Sequence, residues 1–316
     1  MPVLMKRSAG RPAQLRAALD VTEDGSDVSL SDAGLMAISA TLLAQCGNTA
    51  CRSGWMKLWR SRQYPMLEGK WACSPACMRE IAKTAILREA GDQKTEKFIH
   101  QHRVPLGLLM LSRGMITREQ LRRSLEAQKN ARQGRLGEWL IRHGAADEAQ
   151  VTRALSAQWN CPVLAATPHD PALMAAACPR LLMESFGGVP LRMAGSTILY
   201  MAFERRIDHC LVLGVERMLG LKVEAGIVVE SEYRRLREDA MRAAFPKTKL
   251  LEAANLRGLI HACTAMIEES KAVRSRIVRV QDSFWLRIWR RPADERGGLP
   301  STEDVEDMVC SLSAWE

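Results

Sequence analysis

The chain has 316 residues, 47% of them hydrophobic, and 45 Lys and Arg against 36 Asp and Glu give a formal net charge of +9. That composition can bury more than one core, and the length suits several modest domains. No run of 18 apolar residues occurs and Met1 to Leu30 lacks a signal-peptide pattern, so a soluble, cytoplasmic chain is expected; the charge favours anionic partners in general without selecting one.

Residues 1–30 carry few large apolar side chains and read as a mostly disordered lead-in. From 31 to 90 the chain reads as a candidate zinc finger with flanking helices. Ser31 or Asp32 can cap a helix that presents Leu35, Ile38, Leu42 and Leu43, and four cysteines follow. Cys46 and Cys51 are separated by four residues, Cys73 and Cys77 by three, with twenty-one between the pairs. Zinc takes four soft ligands at about 2.3 Å, and two close pairs deliver them by clamping two loops together. Four thiolates would leave no open coordination position, so such a site is structural. The alternatives are a disulfide pair, which fits badly with a cytosolic chain, and four unrelated core thiols. Between the pairs Arg52, Lys57, Arg60, Arg62 and Lys70 accompany Trp55 and Trp59, which suits either a nucleic-acid surface or tryptophans covering the loop with solvated cations around them. A helix is predicted from about Met78 to Glu89. The run Trp71-Ala72-Cys73-Ser74-Pro75-Ala76-Cys77 entering that helix resembles treble-clef zinc fingers.

The stretch 104–165 contains one pattern twice. Leu106-Gly107, Gly114, Leu121, Leu125 and Gln128 recur as Leu136-Gly137, Gly144, Val151, Leu155 and Gln158, each displaced by 30 positions. A fixed period of that size marks a repeated supersecondary unit. Each copy reads as two short helices joined at a glycine that can take the left-handed conformation, with Thr117 and Asp147 as caps of the second helices. One such hairpin cannot bury its own apolar face; two can bury each other's. His143 reads as a surface histidine near a helix end.

Arg135-Leu136-Gly137, Leu140, Gly144, Val151, Leu155 and Gln158 resemble the N-terminal domain of type II secretion and type IV pilus assembly ATPases, in its tandem, MshEN-like form. That resemblance implies cyclic di-GMP as a ligand, held by the Arg-Leu-Gly arginines and nearby backbone; the candidate residues are Arg135, Leu136, Gly137, Gly107, Gly114 and Gly144. The first copy carries Pro105 where the arginine belongs, with Arg103 two positions upstream, and proline offers neither a guanidinium fork nor a backbone donor.

Residues 166–245 read as a small α+β sandwich: a helix over Pro179 to Ser185, strands over Gly188 to Met193 and Thr197 to Ala202, a helix over Ile207 to Leu219, a strand over Leu221 to Val228 and a charged helix over Ser231 to Ala244. This part also resembles the continuation of the secretion-ATPase N-terminal domain. With the repeat, the resemblance covers about 140 of the 316 residues. Asp208 reads as an N-terminal charge on its helix. From 250 to 316 a helix over Leu250 to Glu269, a β-hairpin built from Ile277 to Val280 and Phe284 to Trp289, and a short amphipathic helix with Val305, Met308, Val309 and Leu312 are predicted. Arg276, Arg279, Arg287 and Arg290 give the hairpin a basic face. It can dock an acidic protein, nucleic acid or lipid headgroups, or be neutralised by Glu303, Asp304, Glu306 and Asp307 of the same chain.

The fold expected is therefore α+β and multidomain: a small zinc-binding module, a tandem helical-hairpin unit, a small α+β sandwich, and a C-terminal helix plus β-hairpin. The sequence contains no Gly-x-x-x-x-Gly-Lys-Ser/Thr stretch, no Gly-x-Ser-x-Gly elbow and no His-Glu-x-x-His helix, and no enzyme is expected. Three functions follow: an adaptor or regulator docking a component of the secretion or pilus machinery, a cyclic di-GMP receptor, and a nucleic-acid-binding protein using the finger and the basic hairpin.

Overall fold

Residues 45–52, 65–91, 103–291 and 298–313 are described by the computed structural model. The lead-in, the helix expected after Ser31 and the stretch holding Trp55, Lys57, Trp59, Arg60 and Arg62 lie outside the described residues.

Strands β1 (Met66–Leu67) and β2 (Lys70–Trp71) form a small antiparallel hairpin. Its turn residues Glu68 and Gly69 both take positive φ, 53° and 71°, the backbone that a two-residue hairpin turn demands. Helix α1 (Pro75–Gly91) follows, and its proline sits at the first helical position, where no donor is needed. Met78, Ile81, Ala82, Ala85 and Ile86 recur at helical spacing and are buried.

The tandem unit comprises α2 (Leu106–Ser112), α3 (Arg118–Ala131), α4 (Leu136–Arg142) and α5 (Glu148–Trp159). Gly114 and Gly144 turn each hairpin at φ 65° and 64°. Thr117 and Asp147 cap the second helices, answered by Gln120 and Gln150 in reciprocal capping boxes. The two hairpins clasp by exchange of equivalent parts. A Cβ at Gly107 would stand 2.6 Å from Leu121 and 2.9 Å from Leu136, and one at Gly137 would stand 3.0 Å from Val151 and 3.8 Å from Leu106. Gln128 donates to the Gly134 carbonyl at 3.0 Å, and its repeat partner Gln158 donates to the Val104 carbonyl at 2.7 Å. Each glutamine thus ties the end of its own copy to the entrance of the other, which closes the pair about a pseudo-twofold axis. Met110, Ile116, Leu121, Leu140, Ala146, Val151 and Ala154 form the shared core. Leu125 departs from the expected apolar face and is exposed.

Past Asn160, the segment Pro162 to Leu164 runs alongside the next sheet before α6 (Pro171–Met174) and α7 (Arg180–Phe186). Strands β3 (Val189–Ala194) and β4 (Ile198–Phe203), helix α8 (His209–Leu219), strand β5 (Lys222–Ile227) and helix α9 (Glu230–Met241) match the elements expected there. The sheet order is β3-β4-β5, with β4 antiparallel to β3 and parallel to β5. Asp208 caps α8, its carboxylate accepting from Leu211 N at 3.0 Å.

Two expectations for the C-terminal part are overturned. The helix predicted from Leu250 starts only at Leu256: residues before it form β6 (Lys247–Ala253), and Asn255 caps α10 (Leu256–Glu269). The predicted hairpin is present as β7 (Arg274–Val280) and β8 (Ser283–Trp289), but the predicted amphipathic helix is strand β9 (Val305–Leu312). It lies inside a sheet of order β6-β9-β8-β7. Both faces of β7, β8 and β9 are covered, whereas β6 at the edge is largely exposed. Val278, Val280, Trp285, Trp289, Val305 and Val309 join the core built by 166–240. Ile277, Phe284, Leu286, Ile288, Met308 and Cys310 join a second core with α1 and α10. A strand buried on both faces loses the polar alternation that identifies a strand, and the spacing of Val305, Met308, Val309 and Leu312 then imitates a helix.

The cysteine module shares that second core, and its hairpin covers the outer edge of β7. Met66 N donates to Ala272 O and Glu68 N to Ser275 O, each at 2.9 Å, and the Glu68 carboxylate accepts from Ile277 N at 3.0 Å.

Candidate functional site

The four cysteines expected to act together do converge. The Sγ atoms of Cys46, Cys51, Cys73 and Cys77 lie within 4.8 Å of one another, with Cys51 and Cys73 at 3.4 Å and Cys73 and Cys77 at 3.6 Å. None of the four is in a disulfide. Around a tetrahedral ion with Zn–S of about 2.3 Å, sulfurs stand roughly 3.8 Å apart, so this cluster has the size a metal such as zinc requires. Donors already point at the sulfurs: Asn48 Nδ2 lies 3.4 Å from Cys77 Sγ and Cys73 N lies 3.5 Å from Cys46 Sγ. Burial, together with hydrogen bonds from the other thiols, pushes the Cys73 thiol up to about 12, and burial also raises Cys46. A cation takes such a cluster as thiolates, displacing their protons. The start of α1 positions Cys77, and the β1–β2 hairpin positions Cys73.

Where the second repeat copy meets the α+β unit there is an open cleft. Leu106, Ile141, Val151 and Leu155 give it apolar walls, and Glu138, Glu148, Glu204, Arg205, Glu230 and Arg135 give it charge. Arg205 is held by Glu204 at 2.8 Å, Glu230 at 3.1 Å and Glu138 at 3.2 Å. Glu148 accepts from both the backbone and the hydroxyl of Ser231, at 3.2 and 2.6 Å. Burial, with Glu230 nearby, raises the Glu204 carboxyl. The carboxylates are thus spent on internal donors, while Arg135 is exposed at the rim.

Of the six candidate ligand residues, Arg135 and Gly137 line this cleft. Leu136 is packed against Gly107 inside the clasp, and Gly114 and Gly144 sit at the exposed hairpin turns. Gly107 and Gly137 have their Cβ space filled by leucine and valine methyls, so packing alone accounts for both. Near Pro105, Arg103 stacks on Trp159 with its guanidinium carbon 3.3 Å from the ring centroid, and Arg206 approaches the same ring at 5.4 Å. His143 is exposed, as expected, and lies 3.3 Å from the Ser124 hydroxyl of the other copy.

The four hairpin arginines do not form one basic face. Arg287 is a correction: it is 0% exposed, bonded to both Asp307 oxygens at 2.8 Å and to Ala176 O at 2.5 Å. Arg290 meets Glu306 at 2.5 Å, Arg279 donates to Gln281 O at 2.5 Å, and Arg276 donates to the carbonyls of Arg217 and Met218. Glu306 and Asp307 do reach the arginines, but from a strand and not from a helix, and Asp304 meets Arg291 at 3.3 Å. Sequence reasoning also missed Glu89, buried between Arg88 at 2.9 Å and Arg217 at 3.2 Å. A lone acid on the apolar stripe of α1 was the available signal.

No helix among the described residues is long and apolar enough to cross a membrane. No protein-family model matches the chain, and no curated protein does. Among solved structures the chain is similar to MshE in a structure with cdg, at 25% identity over 43% of this chain and 98% of that one, with a TM-score of 0.35. It is also similar to the N-terminal domain of XpsE in two crystal forms: 17% identity over 42% of this chain and 92% of that one, TM-score 0.29, and 18% identity over 41% and 90%, TM-score 0.24.

Proposed function

We propose that this chain is a non-enzymatic adaptor or regulator, related to the N-terminal domains of type II secretion and type IV pilus ATPases, and that it docks a protein of such machinery. The observation that carries the reading is the closed clasp of two hairpins, with Gln128 and Gln158 bonding across it. It makes a rigid surface from residues that also carry the sequence resemblance, in a chain whose sequence has no phosphate-cradling Gly-x-x-x-x-Gly-Lys-Ser/Thr loop. Co-expression with the secretion or pilus components of the same organism is expected to give a stoichiometric complex on size exclusion. Failure of a folded chain to bind any of them removes the reading.

A second reading, cyclic di-GMP binding, is favoured by the exposed Arg135 at the rim of an apolar cleft, since a guanidinium fork suits phosphate or guanine. Pro105 and the surrounding carboxylates weigh against it. Calorimetry with the full chain tests it: binding that survives Arg135→Ala, or no binding at all, excludes this site. Zinc is the metal we assign to the four cysteines, in a structural role. Its test is metal analysis of purified protein, with one zinc per chain expected. The nucleic-acid reading has lost the C-terminal hairpin as a surface, because Arg287 and Arg290 are engaged within the chain; duplex binding that weakens steeply with salt would restore it.

A further inference from the structure

The C-terminal sheet ends in two unlike edges. At β7 the chain closes the edge itself, since Met66 N and Glu68 N of the β1–β2 hairpin donate to the carbonyls of Ala272 and Ser275. At the other end β6 pairs with β9, and no described strand lies against its outer side. Leu250 is 64% and Leu251 37% exposed there. An open edge of this kind is a template for another strand.

One bond shows which backbone groups are free. Ser313 N donates to Ala253 O at 3.0 Å, so Ala253 turns its peptide groups towards β9. Directions alternate along a strand, and the N–H and C=O of one residue point to the same side. Lys247, Lys249 and Leu251 therefore also face β9, while Thr248, Leu250 and Glu252 face outwards with three donors and three acceptors centred on Leu250. We infer that β6 is a self-association edge, on which a second copy of this chain lays its own β6 antiparallel about a twofold axis at Leu250, joining two four-stranded sheets into one. That register uses every outward group: Leu250 exchanges both bonds with its equivalent, and Thr248 exchanges both with Glu252 on either side. The side chains agree with it. On one face Leu250 meets Leu250 and Thr248 meets Glu252; on the other Lys249 meets Leu251 and Lys247 meets Ala253, so no cation stands directly opposite a cation. The two Lys249 side chains lie on a diagonal, each 3.6 Å from its own Glu306. An axis at Lys249 would set lysine against lysine, and an axis at Leu251 would carry Thr248 past the end of the partner strand. The pairing does not rest on the adaptor reading; it adds that the assembled form presents two tandem units, which raises avidity for a target with two equivalent sites.

The test is sedimentation equilibrium of the full chain over a concentration series, in which a reversible monomer–dimer equilibrium is expected. Leu250→Pro raises its dissociation constant by about tenfold or more, because proline there removes an outward N–H that the bonds to β9 do not use. Leu250→Lys, which sets lysine opposite lysine across the axis, must give the same loss and replaces the proline variant if that one melts differently from the parent. Leu213→Lys, at a leucine 48% exposed on α8, leaves the equilibrium unaltered. Amide exchange followed by NMR supplies the site-specific readout: Lys249 and Leu251 exchange slowly at every concentration, whereas Thr248, Leu250 and Glu252 slow only as the dimer forms. A chain that stays monomeric up to its solubility limit overturns the inference, and so does a dimer that survives both Leu250 variants. Outward amides that remain fast in the dimer overturn it as well. So do outward amides already slow in the monomer, because the edge is then closed within one chain.

Discussion

Arg287 and Asp307 form an ion pair with both side chains 0% exposed, joined by Trp285 Nε1, which donates to Asp307 at 2.8 Å. Such a pair contributes little over a well-packed apolar one, but breaking it strands a charge, at a cost of about 3–5 kcal/mol. Arg287→Met is therefore expected to lower the unfolding free energy from urea titration by that much, and Arg287→Met with Asp307→Leu to recover only part of it, because Trp285 Nε1 and the Ala176 carbonyl then lose their partners. A second residue-scale expectation concerns Tyr233, whose hydroxyl donates to Gly187 O at 2.8 Å. Burial pushes its phenol from 10.0 up to about 12. As the pH passes 10 the unfolded chain ionises first, so the stability held below pH 10 falls as pH rises towards 12, by about 2–3 kcal/mol. The buried thiols of Cys178 and Cys263, also raised by burial, add a slope common to parent and variant. The difference between parent and Tyr233→Phe in urea midpoints over pH 10–12 isolates the phenol, and a difference that stays constant contradicts this account.

Within elements, glycines mark where backbone or side chains come too close for a Cβ. At Gly107 a methyl gains up to about 1 kcal/mol of helix propensity, yet it would meet Leu121 at 2.6 Å and Leu136 at 2.9 Å. Overpacking of that kind costs about 1–3 kcal/mol, so Gly107→Ala should destabilise the protein on balance. Gly137→Ala, facing Val151 at 3.0 Å, should be closer to neutral. Gly226 is stricter, because a methyl there meets the Pro162 carbonyl at 2.6 Å. That substitution is expected to loosen the pairing of Leu164 N with Ile227 O, raising amide exchange at both residues. The repeat was legible because its signals are local: glycine turns, caps and leucine spacing each act within one helical turn.

Across the whole molecule, the cysteine module and the C-terminal sheet depend on one another. Trp71, Met78 and Ile86 share a core with Leu259, Phe284 and Met308, and the β1–β2 hairpin lies on the edge of β7. Removing metal by chelation, or replacing Cys73 by Ser, is therefore expected to increase hydrogen exchange in 272–280 as well as in 65–77, and to lower the melting temperature. Exchange confined to 65–77 would show that the sheet edge stands without the metal loop. A module of so few residues cannot bury a core of its own, which is why it borrows one from elements some 180 residues further along the chain.

The linear chain by itself determined the hairpins of the repeat, the elements of 166–245 and the grouping of Cys46, Cys51, Cys73 and Cys77, since each depends on neighbours in sequence or on the shared chemistry of one residue type. Only the tertiary structure decided that 305–312 is a central strand, that Arg287 is interior and that Leu250 and Leu251 stay uncovered. Those outcomes depend on which surfaces distant segments bring to a residue, and hydrophobic burial has no direction along the chain from which to read them.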